Sequence, residues 1–131
     1  MTRRNLITLA GLAMVLLGTA CKEGPTAGEL KVNLTTPFND DGAIQFTATA
    51  NAPETITSVS GACNNCKLFL VKVNDGLYKG VLTGQIGAGT VFRVGVSNTK
   101  LTGSYSVTIN SVASRTYQLR GSTGYSVTLA P

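Results

Sequence analysis

Residues 66–86 read CKLFLVKVNDGLYKGVLTGQI, two largely apolar runs separated by Asn-Asp-Gly. The turn residues Asn74, Asp75 and Gly76 are typical of a β-hairpin, because its tight turn favours residues that adopt positive φ. The run before the turn is apolar on both faces from Leu68 to Val71, which predicts a central strand covered on both sides. The segment therefore indicates an antiparallel hairpin within an all-β fold.

Alternating apolar and polar residues continue on both sides of this hairpin. Residues 29–36 place Leu30, Val32 and Leu34 on one face of a strand. The same pattern, in places weaker, recurs in residues 43–50, 56–62, 90–97, 104–113, 115–120 and 125–130. No helical periodicity interrupts these segments. We predict a single antiparallel β-sandwich of eight or nine strands over residues 29–131, preceded by an N-terminal signal helix.

The start of the chain has a different composition. Arg3 and Arg4 precede an apolar run over residues 6–17, which has the length of a secretory signal core and is shorter than the roughly 20 residues of a spanning helix. Small residues then lead to Cys21. This segment resembles the lipobox of bacterial lipoproteins, in which the signal peptide is cut before a cysteine that receives a diacylglyceryl group. Gly18 stands where that family prefers leucine.

The lipobox resemblance implies a signal peptide over residues 1–20, a lipidated Cys21 with a short tether over residues 21–28, and a folded domain after it. Fatty acyl chains such as palmitate on Cys21 would anchor the protein to a membrane. Lys22, in place of the aspartate that often retains such proteins at the inner membrane, implies the outer membrane of the cell envelope. The alternative is an ordinary secretory signal in which Cys21 is incidental.

Composition narrows the range of functions. Cleavage would remove Arg3 and Arg4 and lower the formal net charge from +5 to +3, and the remaining basic residues are scattered. We therefore expect no nucleic-acid partner. The chain has no histidine, the commonest general base and transition-metal ligand, and no tryptophan to stack on sugars. We expect no cofactor.

Cys63 and Cys66 form the sharpest local motif, GACNNC at residues 61–66. In an oxidising compartment the expected outcome is a local disulfide. A redox role would need the motif at a helix N-terminus, whereas the sequence after Cys66 is typical of a strand. A structural zinc site would need two further cysteine or histidine ligands.

An acidic turn, Asn-Asp-Asp-Gly at residues 39–42, is a second candidate site. Oxygen-rich loops suit calcium, so Asp40 and Asp41, together with Asp75, are candidate calcium ligands. The alternative is plain turn chemistry, because asparagine, aspartate and glycine favour turns for backbone reasons alone.

The four tyrosines are the remaining candidates for a binding face. Tyr105 and Tyr125 fall in register with inward apolar residues, so we expect them in or near the core. Tyr78 and Tyr117 are the candidates for exposed binding residues, and the alternative, which tyrosines favour, is that they pack against the domain.

Residues 31–47, KVNLTTPFNDDGAIQFT, resemble the first strand, turn and second strand of cohesin-type β-sandwiches. The whole pattern is also similar to immunoglobulin-like bacterial modules and to a family of uncharacterised bacterial lipoproteins. The resemblance implies a binding role but has no diagnostic motif, so it assigns no binding residue.

These features favour a non-catalytic, membrane-anchored lipoprotein that is a protein-interaction or structural module of the bacterial envelope. We expect no enzyme, because the sequence has no nucleophile–base pair, phosphate-binding loop or carboxylate pair placed for catalysis. The alternatives are a carbohydrate-binding module with a glycan partner and a self-assembling surface subunit that pairs through edge strands.

Overall fold

The computed structural model describes residues 24–131, and this part of the chain folds into two antiparallel sheets. Its nine strands are β1 (Gly28–Thr35), β2 (Asp41–Ala50), β3 (Ile56–Gly61), β4 (Lys67–Asn74), β5 (Leu77–Ile86), β6 (Gly89–Val96), β7 (Tyr105–Ser114), β8 (Leu119–Arg120) and β9 (Ser126–Ala130). The four-stranded sheet has the order β3-β6-β1-β9, and the five-stranded sheet has the order β4-β5-β2-β7-β8. The all-β prediction is confirmed, whereas the predicted signal helix lies outside the described residues.

The core lies between the two sheets, as in a β-sandwich. Leu30 and Val32 of β1 and Ile44 and Phe46 of β2 are fully buried, because alternation turns every second residue of each strand inward. The rings of Phe46 and Phe92, one from each sheet, stack with centroids 4.3 Å apart. Aliphatic and aromatic burial across this layer supplies the driving force for folding.

A glycine on the inward side of β5 accommodates the central aromatic pair. Gly80 lies opposite Phe46 in the ladder between β2 and β5. A Cβ atom at residue 80 would lie 2.6 Å from Cζ of Phe46, so only glycine leaves room for the ring. The inward row of β5 therefore reads Tyr78, Gly80, Leu82.

The prediction that the apolar run of β4 is central and covered on both sides is wrong. Strand β4 is an edge of the five-stranded sheet and pairs only with β5 within the described residues. Leu68 packs against the core, but Phe69, Val71 and Val73 are exposed. No second layer covers the other face of the sheet in residues 24–131, so apolar residues on both faces of β4 do not mean burial on both faces.

The sandwich has two ends, which we name the entry end and the far end. The entry end, where Gly28 lies opposite Val96, includes the loops 51–55, 75–76 and 97–104, and Ala50 N–H donates there to the Gly76 carbonyl over 2.9 Å. The far end includes the loops 36–40, 62–66, 87–88, 115–118 and 121–125. At the far end Arg115 N–H donates to the Asp40 carbonyl over 2.9 Å.

The chain joins the domain earlier than the predicted boundary at residue 29. Gly28 is the first residue of β1, and the Thr26 carbonyl accepts hydrogen bonds from Thr99 N–H at 2.8 Å and from Thr99 Oγ1 at 3.2 Å. The last part of the predicted tether is therefore fastened to the entry end. Within residues 24–131 no helix is long and apolar enough to cross a bilayer.

Candidate functional site

The outer face of the five-stranded sheet is the main candidate surface. It consists of the side chains that alternate with core residues along the strands. These are Lys67, Phe69, Val71 and Val73 of β4, Lys79, Val81 and Thr83 of β5, Ala43, Gln45, Thr47 and Thr49 of β2, Ser106, Thr108, Asn110, Ser111 and Ala113 of β7, and Leu119 of β8.

The β4 side of the outer face is apolar. The side chains of Phe69, Val71 and Val73 are 61%, 64% and 53% exposed. Phe69 lies opposite Val81 in the ladder with β5, which extends the apolar patch to the next strand. A shallow groove of about 640 Å³ lies over this patch and continues to Gln45 and Asn110. Contiguous exposed apolar surface of this kind marks an interaction site more often than a featureless surface.

The β2 and β7 side of the outer face is polar and internally hydrogen-bonded. Side chains of the two strands pair across the ladder: Ser111 Oγ with Gln45 Oε1 at 2.9 Å, Thr47 Oγ1 with Asn110 Oδ1 at 2.9 Å, and Thr49 with Ser106. These bonds fix a regular row of hydroxyl and amide groups beside the apolar patch. The outer face thus changes from apolar at the β4 edge to polar toward β7.

The charges of the outer face all have one sign. Its members include Lys67 and Lys79 but no aspartate or glutamate. Lys79 lies opposite Val71, and Lys67 lies two residues before Phe69. The apolar patch is therefore bordered by two cations, which favours a ligand that carries both apolar and anionic groups.

A buried carboxylate at the far end organises a second cluster. Asp41 is completely buried. Its Oδ1 accepts hydrogen bonds from Arg120 and from the Tyr125 hydroxyl, each at 2.7 Å, and its Oδ2 accepts one from Thr36 Oγ1 at 2.6 Å. Two of these hydrogen bonds of Asp41 join β2 to segments distant in sequence, and the third joins β2 to the loop that precedes it. The carboxylate therefore serves as a junction among β2, β8 and the residue before β9.

Arg120 connects the same cluster to a second carboxylate and a ring. One guanidinium nitrogen lies 2.7 Å from Asp41 and the other lies 2.7 Å from Asp40, while the guanidinium carbon lies 3.9 Å from the Phe38 ring centroid. Burial opposes the charged form of Arg120, but hydrogen bonds to Asp40 and Asp41 outweigh it and raise its pKa. Burial, together with the hydrogen bond to Asp41, also raises the pKa of Tyr125.

The three candidate calcium ligands do not come together. Asp40 and Asp41 lie at the far end with Arg120, whereas Asp75 lies in the β4–β5 turn at the entry end. Strand β2 separates the two ends by about 30 Å, at ~3.3 Å per residue. Asp75 is paired with Lys72 at 2.8 Å, and the hydrogen bond from Lys72 lowers the pKa of Asp75. The predicted calcium constellation is therefore wrong as a single site.

Cys63 and Cys66 form the predicted disulfide, which closes the loop between β3 and β4 at the far end. The next element is a strand, without the helix that a redox-active pair would use to lower a thiol pKa. Gly84 of β5 has a φ of +139°, and a Cβ atom there would lie 2.7 Å from the Asn65 carbonyl oxygen. The disulfide loop thus packs closely onto β5, next to the start of β4.

The two tyrosine candidates have opposite environments. Tyr78 is buried, with its hydroxyl 3.3 Å from the Ile56 carbonyl, so it packs in the core and is not an exposed binding residue. Tyr78 belongs to the inward row of β5, in which the next residue, Gly80, has no side chain. Tyr117 is 94% exposed in the turn between β7 and β8, where its φ is +66°. Tyr105 and Tyr125 pack in or against the core, as predicted.

Comparison with known proteins adds no assignment to these sites. No family model, no curated protein and no solved structure matches the chain. Cys21, the predicted lipidation site, lies outside the described residues.

Two features of the structure, the Arg120 cluster and the exposed patch of β4, were not predicted from the sequence. The Arg120 cluster joins residues 79 positions apart, and alternation carries no signal for such a pair. The exposed patch of β4 did leave a signal, since Lys67 and Lys72 flank the apolar run, and lysines are typical of edge strands.

Proposed function

We propose that this protein is a non-catalytic lipoprotein, anchored through Cys21 to the outer membrane of a bacterial envelope, and that it holds a protein partner on the β4 side of its outer face. The observation that carries the proposal is the exposure of Phe69, Val71 and Val73 along one edge strand. A stable soluble domain gains nothing from leaving these three side chains in water. Their exposure is understandable if another protein covers them.

The attachment at Thr26 supports a defined orientation for the anchored domain. Thr26, which is hydrogen-bonded to Thr99 at the entry end, is five residue steps after Cys21 in the chain. A fully extended chain of this length spans roughly 17 Å. With lipid on Cys21, the entry end therefore stays close to the bilayer and cannot move far from it.

The chemistry of the acidic groups supports a binding role over a catalytic one. Asp41 is fully occupied by Arg120, Tyr125 and Thr36, and Asp40 is paired with Arg120. A general base must be able to reach a substrate proton, and Asp41 is buried beneath its own partners. The carboxylates of this cluster instead hold strands together.

Two measurements on the full chain in its native envelope test the proposal. Palmitate labelling and mass spectrometry should find acyl groups on Cys21, and Cys21→Ser should abolish them and release the protein from the membrane fraction. A photo-cross-linking amino acid in place of Val71 should join the protein to an envelope protein. The same amino acid in place of Thr108, on the polar side of the outer face, is the matched control.

An unmodified Cys21 would refute the anchor. Equal cross-linking from positions 71 and 108 would refute the β4 side as the binding surface.

Self-assembly is a second candidate, and it also uses the β4 edge. In an antiparallel pair of two β4 strands centred on Val71, Phe69 of one copy would lie opposite Val73 of the other, giving an apolar row across the junction. Light scattering of the detergent-solubilised protein tests it. A dimer that Val71→Lys converts to a monomer would support self-assembly, and a monomer at all concentrations would refute it.

A further inference from the structure

The four edge strands of the described domain differ in how well they are protected. Strand β8 has two residues, and β9 has five and is followed by Pro131. Strand β3 has an irregular register between Ile56 and Ser58. Short edges, irregularities and nearby proline all discourage pairing with another chain.

Strand β4 is protected only by two lysines, Lys67 and Lys72, and by one register shift near its end, between Lys72 and Asn74. It has eight residues, and its register with β5 is regular from Lys67 to Lys72. Its outer edge has no partner strand within residues 24–131. An unpaired strand edge with apolar side chains beside it is a template for an added strand, in which backbone hydrogen bonds give affinity and alternate side chains give specificity.

The charges beside β4 indicate the chemistry of that strand. The outer face carries Lys67 and Lys79 and no carboxylate. An added strand would lie about 5 Å from β4 and about 10 Å from β5, so glutamate side chains on it would reach both lysines. Apolar side chains at the intervening outward positions would pack on Phe69 and Val71.

We propose that the occupant of the β4 edge is an extended segment of another envelope protein that adds to the five-stranded sheet as a sixth strand. Its outward-facing side chains, at every second residue, include both apolar and acidic groups. This inference rests on the proposed function, because it names the partner of the same surface. It makes the backbone edge of β4, and not only the apolar patch, part of the binding site.

The geometry disfavours a second copy of this chain as the occupant. An antiparallel pair of β4 strands centred on Val71 points the two entry ends in opposite directions, with the two Asn74 residues about 20 Å apart along the strands. Both copies would be anchored to one membrane within roughly 17 Å of their entry ends. If the paired strands stand upright on the membrane, only one of the two entry ends lies close enough for its Cys21 to reach the bilayer. A segment of a different protein is not subject to this constraint.

The test uses the full chain in its native envelope, with benzoylphenylalanine placed singly at positions 69, 71 and 73. We expect all three positions to cross-link to one partner segment, at residues that shift by about two positions from each site to the next. This spacing is the signature of a strand that runs alongside β4. The outward-facing residues of the mapped segment should include glutamate or aspartate as well as apolar side chains.

Charge reversal tests the role of the two lysines, and a lysine on the other sheet provides the matched control. Replacing Lys67→Glu and Lys79→Glu together should lower the cross-linking yield about fivefold, the effect of removing two exposed ion pairs. Lys31→Glu, an exposed lysine on β1 of the other sheet, should leave the yield unchanged.

Three outcomes would overturn the inference. They are cross-links to scattered partner positions, cross-links to a second copy or to lipid or glycan, and a yield that is unaffected by charge reversal. Cross-links scattered over one envelope protein would refute the added strand but not the proposed function. An absence of acyl groups on Cys21, by contrast, would refute the anchor but would not change the spacing of the cross-links.

Discussion

Strands β4 and β8 are the two edges of the same five-stranded sheet, and they differ in length, in chemistry and in what holds them in place. Strand β8 has two residues, and its Arg120 side chain is bound to the buried Asp41 and to Asp40. Strand β4 pairs with β5 from Lys67 to Asn74, and a disulfide precedes it. Its outward apolar side chains contribute little to the core.

The difference shows where each edge gets its stability. Two residues of backbone pairing cannot hold β8, so a buried network of hydrogen bonds does so and also fixes its position. The longer ladder between β4 and β5 is sufficient without the outward side chains of β4. Those side chains are therefore available for another purpose, whereas the polar groups at β8 are fully committed to the fold.

The largest expected effect is at the buried carboxylate of the β8 edge. Asp41→Asn should lower the free energy of unfolding by about 3 kcal/mol, because it removes the buried one of the two carboxylate charges on Arg120 and replaces one acceptor oxygen with an NH2 group that faces buried donors. Urea denaturation measures it. Asp40→Asn is the matched control, since Asp40 binds the same guanidinium from a partly exposed position and should cost less than about 1 kcal/mol. Equal losses for the two variants would show that burial is not the deciding factor.

The disulfide at the β4 edge should have the next largest effect. Changing both Cys63→Ser and Cys66→Ser should lower the free energy of unfolding by roughly 2 kcal/mol or less, since the loop that the bond closes is very short. Reduction of the wild-type protein before the same urea titration should produce the same loss. A much larger loss would mean that β4 depends on this bond as strongly as β8 depends on Asp41.

Tyr125 tests the cluster at β8 through pH. Tyr125→Phe removes one hydrogen bond to Asp41 and should cost about 1 kcal/mol at neutral pH. Because the pKa of Tyr125 is raised in the folded state, its hydroxyl contributes stability below the unfolded pKa of about 10, and this contribution is lost as the pH rises. Wild type should therefore lose stability more steeply above that pH than Tyr125→Phe.

Tyr117→Phe, at an exposed turn, is the control for the loss of a tyrosine hydroxyl and should leave the free energy of unfolding at neutral pH unchanged. An unchanged slope in Tyr125→Phe would contradict the role assigned to its hydroxyl.

Much of the fold could be predicted from local patterns. The alternation of Leu30, Val32 and Leu34 identified β1 and its buried face, and the turn at Asp75 and Gly76 joins β4 to β5 as expected. Alternation works here because every second side chain must enter one core. The alternation predicted too long a β8, since four of the residues predicted to form that strand, 115–118, lie in the turn before it.

The errors arose where the pattern depends on distant parts of the chain. Tyr78 is inward, but Gly80 next along the same row has no side chain, so the inward row of β5 was hard to recognise. The apolar faces of β4 predicted burial, although a strand pattern does not say whether a second layer covers the sheet. The contact between Asp41 and Arg120 depends on which strands become neighbours, and sequence spacing does not determine that.

The smallest expected effect on stability is the one that most directly separates the two edges. Val71→Thr keeps a β-branched side chain on β4 while replacing a methyl group of the exposed patch with a hydroxyl, so the free energy of unfolding should change by less than about 0.5 kcal/mol. Combined with Phe69→Ser, it should nevertheless abolish cross-linking to an envelope protein from position 73. Thr47→Ser, on the polar side of the outer face, should preserve the cross-link. If the double variant unfolds more easily by several kcal/mol, then the outward side chains of β4 belong to the fold after all, and their exposure would no longer indicate a partner.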